Sequence, residues 1–401
     1  MNDVSVLYDE EEARGNVYEK MAGLDPSSPS SPKILLSKED STMQHRHRLS
    51  SVASLNLNLL SDSWNFQSDH FLPFLSENTN FTVIGVIGRS GVGKSTIMNE
   101  LYRFDPSSHG MLPPFAIQSQ ETRAMAKDCS IGIEPRISSE RFILLDTQPV
   151  FSDSALVEMM MKLDGSSTIP VMTEESLPAE LTQELMDIQL AVFLASICHI
   201  LLVVTEGVHD DSLWHLMSTV DLLKHDISDP SLLASPVSES SSSGLEKDNE
   251  VPEHEYMATP VFIHTKLQDQ ELSPKTILQL RKGLLHYFKT SSFVTENTGN
   301  NPNEHVSSAM VLNSDMDSNT LNLFVIPFKK KEENPRTQHE SYISAVRKLQ
   351  DQILSMKLPS FKRPVSELEW LKSSAKIWEQ VRNSSTISEY CKALQDSSMY
   401  A

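Results

Sequence analysis

Phe81-Thr82-Val83-Ile84-Gly85-Val86-Ile87 leads without a break into Gly88-Arg89-Ser90-Gly91-Val92-Gly93-Lys94-Ser95-Thr96. The first seven residues are apolar enough for one buried parallel strand, and the next nine carry the G-x-x-x-x-G-K-S spacing of a phosphate-binding loop. Its glycines permit positive φ angles and let backbone N–H groups curl around a phosphate chain. Lys94 can reach the outer phosphates, the Ser95 hydroxyl can ligate Mg²⁺, and a helix opening near Thr96 turns its positive end toward the anion. Ile97, Met98, Leu101 and Tyr102 continue as an amphipathic helix. Strand, loop and helix thus come in the order that a chance glycine-rich turn would lack. All nine residues, Gly88 to Thr96, are assigned to nucleotide binding.

Composition narrows what such a site could serve. The chain has 401 residues, with 54 acidic against 34 basic side chains and a net charge of -20. That balance repels phosphate backbones and argues against direct nucleic-acid binding, so any role on RNA would pass through partner proteins. Cys129, Cys198 and Cys391 lie far apart without metal-ligand spacing, as in a reducing compartment. The longest apolar run, residues 191 to 204, is broken by Ser196 and His199 and is too short to span a bilayer, and Met1-Asn2-Asp3-Val4 shows no signal pattern. The expectation is a soluble chain working in the cytoplasm, with the nucleus also open to it, and no membrane partner.

Further strands follow the loop. Arg141-Phe142-Ile143-Leu144-Leu145-Asp146 reads as a core strand ending in a carboxylate, and Gly132-Ile133-Glu134-Pro135-Arg136-Ile137 as an edge strand, because its proline cannot donate to a ladder. Helical periodicity over residues 181 to 196 runs into the buried strand His199-Ile200-Leu201-Leu202-Val203-Val204. Asp211-Ser212 can cap the next helix, and Val261-Phe262-Ile263-His264 and Leu321-Asn322-Leu323-Phe324-Val325-Ile326 supply two more strands. Strands alternating with helices imply an α/β fold, a P-loop NTPase of G-domain-like type with a doubly wound, mostly parallel sheet.

The domain reading is a disordered tail over residues 1–54, a G-like domain over 55–330 with polar insertions near 226–256 and 292–319, and a helical extension over 331–401. Apolar residues between 55 and 75 suggest a helix or docked strand covering the first core strand. Residues 104 to 130, rich in proline and polar side chains, read as a mobile switch-like loop. In the extension, apolar residues recur from Tyr342 to Met356 and again from Leu368 to Val381, which gives two or three amphipathic helices. These either pack on the sheet or offer a partner surface. Trp370 and Trp378, eight residues apart, point to somewhat different faces, so one could grip the sheet and the other a partner.

The residues around the site depart from a hydrolysing G domain. Asp146 fits the carboxylate that orients Mg²⁺, with a turn-capping aspartate as the plain alternative. The run continues Thr147-Gln148-Pro149-Val150, where Pro149 has no N–H for a γ-phosphate and Val150 cannot polarise water. Hydrolysis should be weak or absent unless Gln148 rotates into the role. Where a G protein reads guanine with Asn-Lys-x-Asp, this chain has Thr265-Lys266-Leu267-Gln268. The Lys266 stem can still lie against a purine, but the Gln268 amide can donate or accept, which leaves guanine and adenine both open. Ser130 is either a switch hydroxyl that closes on Mg²⁺ or an ordinary loop residue. His199, in an apolar stretch, reads as a hydrogen-bonded core histidine rather than a metal ligand.

Leu145-Asp146-Thr147-Gln148-Pro149, the run Gln189-Leu190-Ala191-Val192-Phe193-Leu194 with Cys198-His199, and Ile377-Trp378-Glu379-Gln380-Val381-Arg382-Asn383-Ser384-Ser385 leading to Glu389-Tyr390 together resemble the family of ninth SMG factors of nonsense-mediated mRNA decay, in a divergent, plant-type form. The resemblance covers about residues 80 to 396 in pieces. It implies a G-like fold that pairs with a sister G-like factor, the eighth SMG factor. It also implies docking on the phosphatidylinositol-3-kinase-related kinase of the pathway, with an ATP/ADP or GTP/GDP nucleotide as a structural ligand. The resulting expectation is a pseudo-GTPase-like regulatory or scaffold subunit rather than an enzyme. An active switch NTPase and a nucleotide-free scaffold are the alternatives.

Overall fold

In the computed structural model, the residues described are 57–61, 64–104, 112–124, 128–163, 178–234, 256–296, 319–330, 340–356 and 358–398. The expectations for residues 1–54, and for most of the two insertions, lie outside them. The apolar run at 81 becomes β1 (Thr82–Gly88), the centre of the sheet. Around it stand β2 (Ile133–Ile137), β3 (Phe142–Thr147), β4 (Ile200–Glu206) and β5 (Thr259–Leu267). β6 (Thr295–Glu296) and β7 (Asn319–Thr320) form a separate two-stranded ribbon across the second insertion, and β8 (Leu323–Pro327) closes the far edge of the sheet.

The order is β2-β3-β1-β4-β5-β8, parallel throughout except for β2, which runs antiparallel to β3 at the edge. Pro135 sits in that edge strand, where a missing N–H costs least. Because β1 has β3 on one side and β4 on the other, chain connections leave it in both directions. A crevice is therefore left at its carboxyl end, where the phosphate loop begins.

Side chains of β1 alternate between two cores. Val83 and Ile87 enter the larger one, with the helices Ala179–Ile197, Asp211–Leu223, Pro274–Tyr287 and Glu367–Arg382. Ile84 and Val86 enter the smaller one, with Lys94–Leu101 and Tyr342–Ser355. The helix Ala179–Ile197 is buried on nearly every side, which is why its periodicity shades into a continuous apolar run. His199, just after it, accepts the Val83 N–H through Nδ1 at 3.0 Å, and burial lowers its pKa to about 4; it is the neutral core histidine its sequence context suggests.

Several local expectations are revised. Asp210, one residue ahead of Asp211, is the N-cap, its side chain accepting the Leu213 N–H at 3.1 Å. Residues 226–234 are not part of a polar insertion: they hold the end of a 3-10 turn and the helix Pro230–Ala234, with Asp229, Pro230 and Ser231 buried. Of the two expectations for the segment before β1, the docked strand is nearer among the described residues, but at the sheet edge: Leu60 bridges to Ile133 of β2, and a 3-10 turn spans Leu72–Phe74. The switch-like loop is pinned at Phe115, which is fully buried and exchanges two 2.9 Å hydrogen bonds with the Asn99 amide.

Among the described residues the tail forms three helices, Tyr342–Ser355, Glu367–Arg382 and Ser385–Ser398. Both tryptophans go inward, contrary to the expectation that one would face a partner: Trp370 is 0% and Trp378 1% exposed. Trp370 donates to Ile197 O at 2.9 Å and Trp378 to Trp64 O at 3.0 Å. The same helix begins with a capping box from Ser366 and Glu369. Its first residue, Glu367, is fully buried and accepts the Ser76 N–H at 2.8 Å, the Asn78 amide at 3.2 Å and the guanidinium of Arg141. Glu367→Ala should lower the unfolding free energy by about 2–4 kcal/mol, because it strands a backbone N–H and separates a charge pair that is only partly solvated. Urea unfolding measures this, and a loss below about 0.5 kcal/mol, the size expected of a surface pair, would contradict the burial argument.

Candidate functional site

The turn after β1 is shaped by two glycines. A Cβ on Gly88 would lie 2.2 Å from Val204 O on the neighbouring strand, so only glycine lets the chain leave β1 there. Gly93 has φ 108° and caps the helix Lys94–Leu101, presenting that helix's free N–H groups to the loop. Lys94 is buried and folds back over the loop, with its Nζ 2.9 Å from both Gly88 O and Arg89 O. Burial lowers its pKa to about 8, against the opposing fields of Asp146 and Asp128. An ammonium desolvated among backbone carbonyls favours a nearby anion, as a phosphate would supply.

Asp146 lies in β3 beside the loop. Its Oδ2 accepts the hydroxyls of Ser95 at 2.8 Å and Ser130 at 2.9 Å, while the buried Oδ1 has no hydrogen-bond partner among the described residues. Burial raises its pKa, opposed first by Lys94 and then by the two hydroxyls and the Thr147 N–H. The structure therefore brings Ser130 onto the carboxylate, and its role as a loop residue alone does not account for that. One carboxylate and two hydroxyls next to a phosphate loop suit Mg²⁺, which binds through one or two carboxylates together with phosphate oxygens and waters. No group of three or more histidine, cysteine, aspartate or glutamate side chains with metal-ligand geometry occurs among the described residues, so a dedicated protein cage is not what the site offers.

Past Asp146 the geometry bears on hydrolysis. Gln148 is engaged at both ends: its side-chain oxygen accepts the Gly132 N–H at 3.0 Å and its own N–H donates to Gly132 O at 2.9 Å. Pro149 lines the space beside the loop, and Val150 is fully buried with its N–H donated to Gly88 O at 3.2 Å. Phe151 then takes φ 53°, an unfavourable angle for an aromatic residue, held by a 2.8 Å bond from its N–H to Asp187. Asp187, whose carboxyl burial pushes up to about 7, lies in a cavity of about 410 Å³ with Glu180, Glu184 and His215. Arg89 borders the same cavity: its guanidinium stands 4.9 Å from the Phe151 ring centre and 3.3 Å from Asp210.

Of the assigned loop residues, Gly91, Gly93, Lys94, Ser95 and Thr96 border one space of about 80 Å³, together with Ser90. Val92 is buried beneath the loop, and Arg89 turns away as described. Lys266 and Gln268, assigned to the base, stand at the carboxyl end of β5. Lys266 lies within β5 at a bulge, with φ 59°, and pairs with Glu206 at 2.6 Å. Gln268 is exposed, and its backbone N–H is taken by Glu271. The residue of this segment that reaches the phosphate loop is Thr265, whose hydroxyl donates to Val92 O at 2.7 Å. Sequence reasoning passed over Thr265, although its place at the first position of the altered Asn-Lys-x-Asp pattern was the available signal.

All three cysteines are free, Cys129 exposed beside the loop and the other two buried. No helix among the described residues is long and apolar enough to cross a membrane.

No family model matches the chain. Among curated proteins it is 30% identical over 362 residues to the nonsense-mediated mRNA decay factor SMG9 of Xenopus laevis, covering 84% of this chain and 66% of that protein. The SMG9 of Xenopus tropicalis is 29% identical over the same shares. That of Salmo salar is 28% identical over 356 residues, covering 84% of this chain and 67% of its own length. The chain thus spans about two thirds of the length of the relatives it matches. Among solved structures, the bacterial selenocysteine-specific elongation factor EF-Sec aligns with TM-score 0.30 and 8% identity, over 69% of this chain and 28% of its own. The septin GTPase domain from Chlamydomonas reinhardtii aligns with TM-score 0.26 and 8% identity, over 78% and 98%. Overlaps this loose carry no argument, and the fold rests on the sheet order and the loop at the end of β1.

Proposed function

The chain belongs to the SMG9 family of nonsense-mediated mRNA decay factors, and from that premise we propose that it is a nucleotide-binding regulatory or scaffold subunit of that pathway rather than a turnover enzyme. It binds ATP/ADP or GTP/GDP in the loop Gly88 to Thr96, with Mg²⁺ held by Ser95 and Asp146, and uses the nucleotide to stabilise a partner-competent fold. Mg²⁺ would supply charge neutralisation to the phosphates. Ser95, Ser130 and Asp146 position it, and Lys94 contributes the fixed positive charge. The partners are the sister G-like eighth SMG factor and the phosphatidylinositol-3-kinase-related kinase of the pathway, and mRNA is reached only through them. The place of action is cytoplasmic, with the nucleus open.

The observation that carries this reading is the pairing of a complete phosphate loop with a following segment that supplies neither donor nor water-positioning group. Pro149 has no N–H, Val150 gives its own to Gly88, and the Gln148 amide is committed to Gly132. An active switch NTPase is the second reading, and the Ser130 hydroxyl on Asp146 favours it, since a switch segment that closes on a metal would place a hydroxyl there. Mass spectrometry of nucleotide released from heat-denatured protein reports occupancy, base and phosphate number together. Single-turnover assays with ATP and GTP should then show no hydrolysis above the slow intrinsic rate of an unassisted G protein. A rate on the order of 1 s⁻¹ or more would establish the switch reading instead. Absence of nucleotide from the native protein, together with no binding on titration, would leave only the scaffold.

A further inference from the structure

Hydroxyls from separate segments meet at Asp128. Its Oδ1 accepts the hydroxyl of Ser90 in the phosphate loop at 2.6 Å, and its Oδ2 accepts those of Ser152 and Ser154, the latter at 2.6 Å. Asp128 borders the same 80 Å³ space as Gly91, Gly93, Lys94 and Ser95. Its charge is one of the two that oppose the burial penalty on Lys94. Three hydroxyl donors and a nearby ammonium are the kind of groups that hold a phosphate oxygen, and here they hold a carboxylate of the chain itself.

Two anions at close range disfavour one another. A space of about 80 Å³ is also well below the roughly 300–1,000 Å³ of ordinary ligand pockets. A nucleotide that enters must therefore contend with Asp128, and the contest sharpens with each added phosphate charge. We propose that the Asp128 carboxylate is an internal competitor for the phosphate chain, so that the site penalises nucleoside triphosphates relative to diphosphates until that carboxylate is displaced. The inference rests on the nucleotide-binding reading above and adds to it a residue that sorts ligands by phosphate number. It also divides the three hydroxyls: Ser90, which borders the space, can pass from the carboxylate to an incoming anion, while Ser152 and Ser154 hold the carboxylate in place.

The test is equilibrium titration of the full chain with fluorescent ATP, ADP, GTP and GDP analogues in the presence of Mg²⁺, comparing wild type with Asp128→Asn, which keeps the shape and removes the charge. Triphosphate affinity should rise about ten-fold while diphosphate affinity changes less than about three-fold. Ser154→Ala, which removes one holder and leaves the charge, should shift the ratio the same way by less. That variant keeps the question open to experiment if Asp128→Asn fails to fold. Equal tightening of both classes, or weaker triphosphate binding, would overturn the proposal; the second result would place Asp128 among the metal-holding groups. If wild type binds nucleotide and the ratio does not move, this inference alone fails. If neither protein binds any nucleotide, the underlying reading fails with it.

Discussion

Nucleotide co-purifying with the protein should fall to background in Lys94→Ala. The Nζ group is the one buried cation seen in the loop itself, and losing a charge-assisted hydrogen bond typically costs about 1.5–3 kcal/mol, or roughly 10- to 150-fold in affinity. The lysine also carries its own control in pH. Its pKa falls from 10.5 to about 8 on folding because burial penalises the charge. Between those values the unfolded chain holds more protons than the folded one. The stability of nucleotide-free protein should therefore rise as pH climbs from about 8 toward 10.5, the burial penalty being fully present below 8. Nucleotide affinity should fall over the same window, as the ammonium is lost. Both slopes should vanish in Lys94→Met, which keeps the stem but not the charge. Thermal melts and binding titrations across pH 7–10 read the two trends, and undiminished nucleotide occupancy in Lys94→Ala would remove the loop from the argument.

Trp370→Ala and Trp378→Ala should each cost about 3–5 kcal/mol of unfolding free energy, the range for emptying a large aromatic site. Each also strands a backbone acceptor, Ile197 O in the first case and Trp64 O in the second. Around Trp378 the losses include ring contacts to Trp64, with centroids 5.5 Å apart, and to Phe193 at 5.2 Å; Trp370 loses its edge contact to Phe81 at 6.3 Å. Recovery of partner complexes, counted per folded molecule, should be the same for both variants as for wild type. A Trp378→Ala protein with normal urea stability and lost complexes would instead put that ring on a partner surface.

These two cases mark what could be read in the sequence. The centre of the sheet was legible, because strands buried on both faces leave unbroken apolar runs such as those ending at Ile87, Leu145 and Val204. The loop was legible because phosphate binding demands glycine and lysine at fixed spacing, and Asp146 because it closes such a run. What escaped depends on residues far apart in the chain. Glu367 and Arg141 meet across 226 positions, and nothing near either one signals the other. The tryptophans misled because eight residues turn a helix by about 80°, and a face wider than that buries both. Asp128 sits in polar sequence without a period, where only the folded path of the loop brings it onto Ser90; Ser130, in the same stretch, was a candidate whose two readings only that path could separate. Thr265 was missed for a subtler reason: its hydroxyl reaches Val92 O in the phosphate loop from the end of a strand, a contact no local pattern announces.

The clasp made by Glu367 and Trp378 also has a consequence in time. It joins residues 291 and 314 positions apart, so the segment holding Trp64 and Ser76 leaves the ribosome long before its partners exist. At about 5–20 residues per second the wait for the Trp64–Trp378 contact is on the order of 15–60 s. Until that interval ends, Trp64 and the side of the helix Ala179–Ile197 that carries Phe193 lack the cover Trp378 gives them, although the strands and phosphate loop have by then been synthesised. Contacts of such long range also slow refolding. A nascent chain halted before residue 378 would hold a complete nucleotide loop on an unfinished core, and its fate would rest with chaperones and proteases rather than with the ligand.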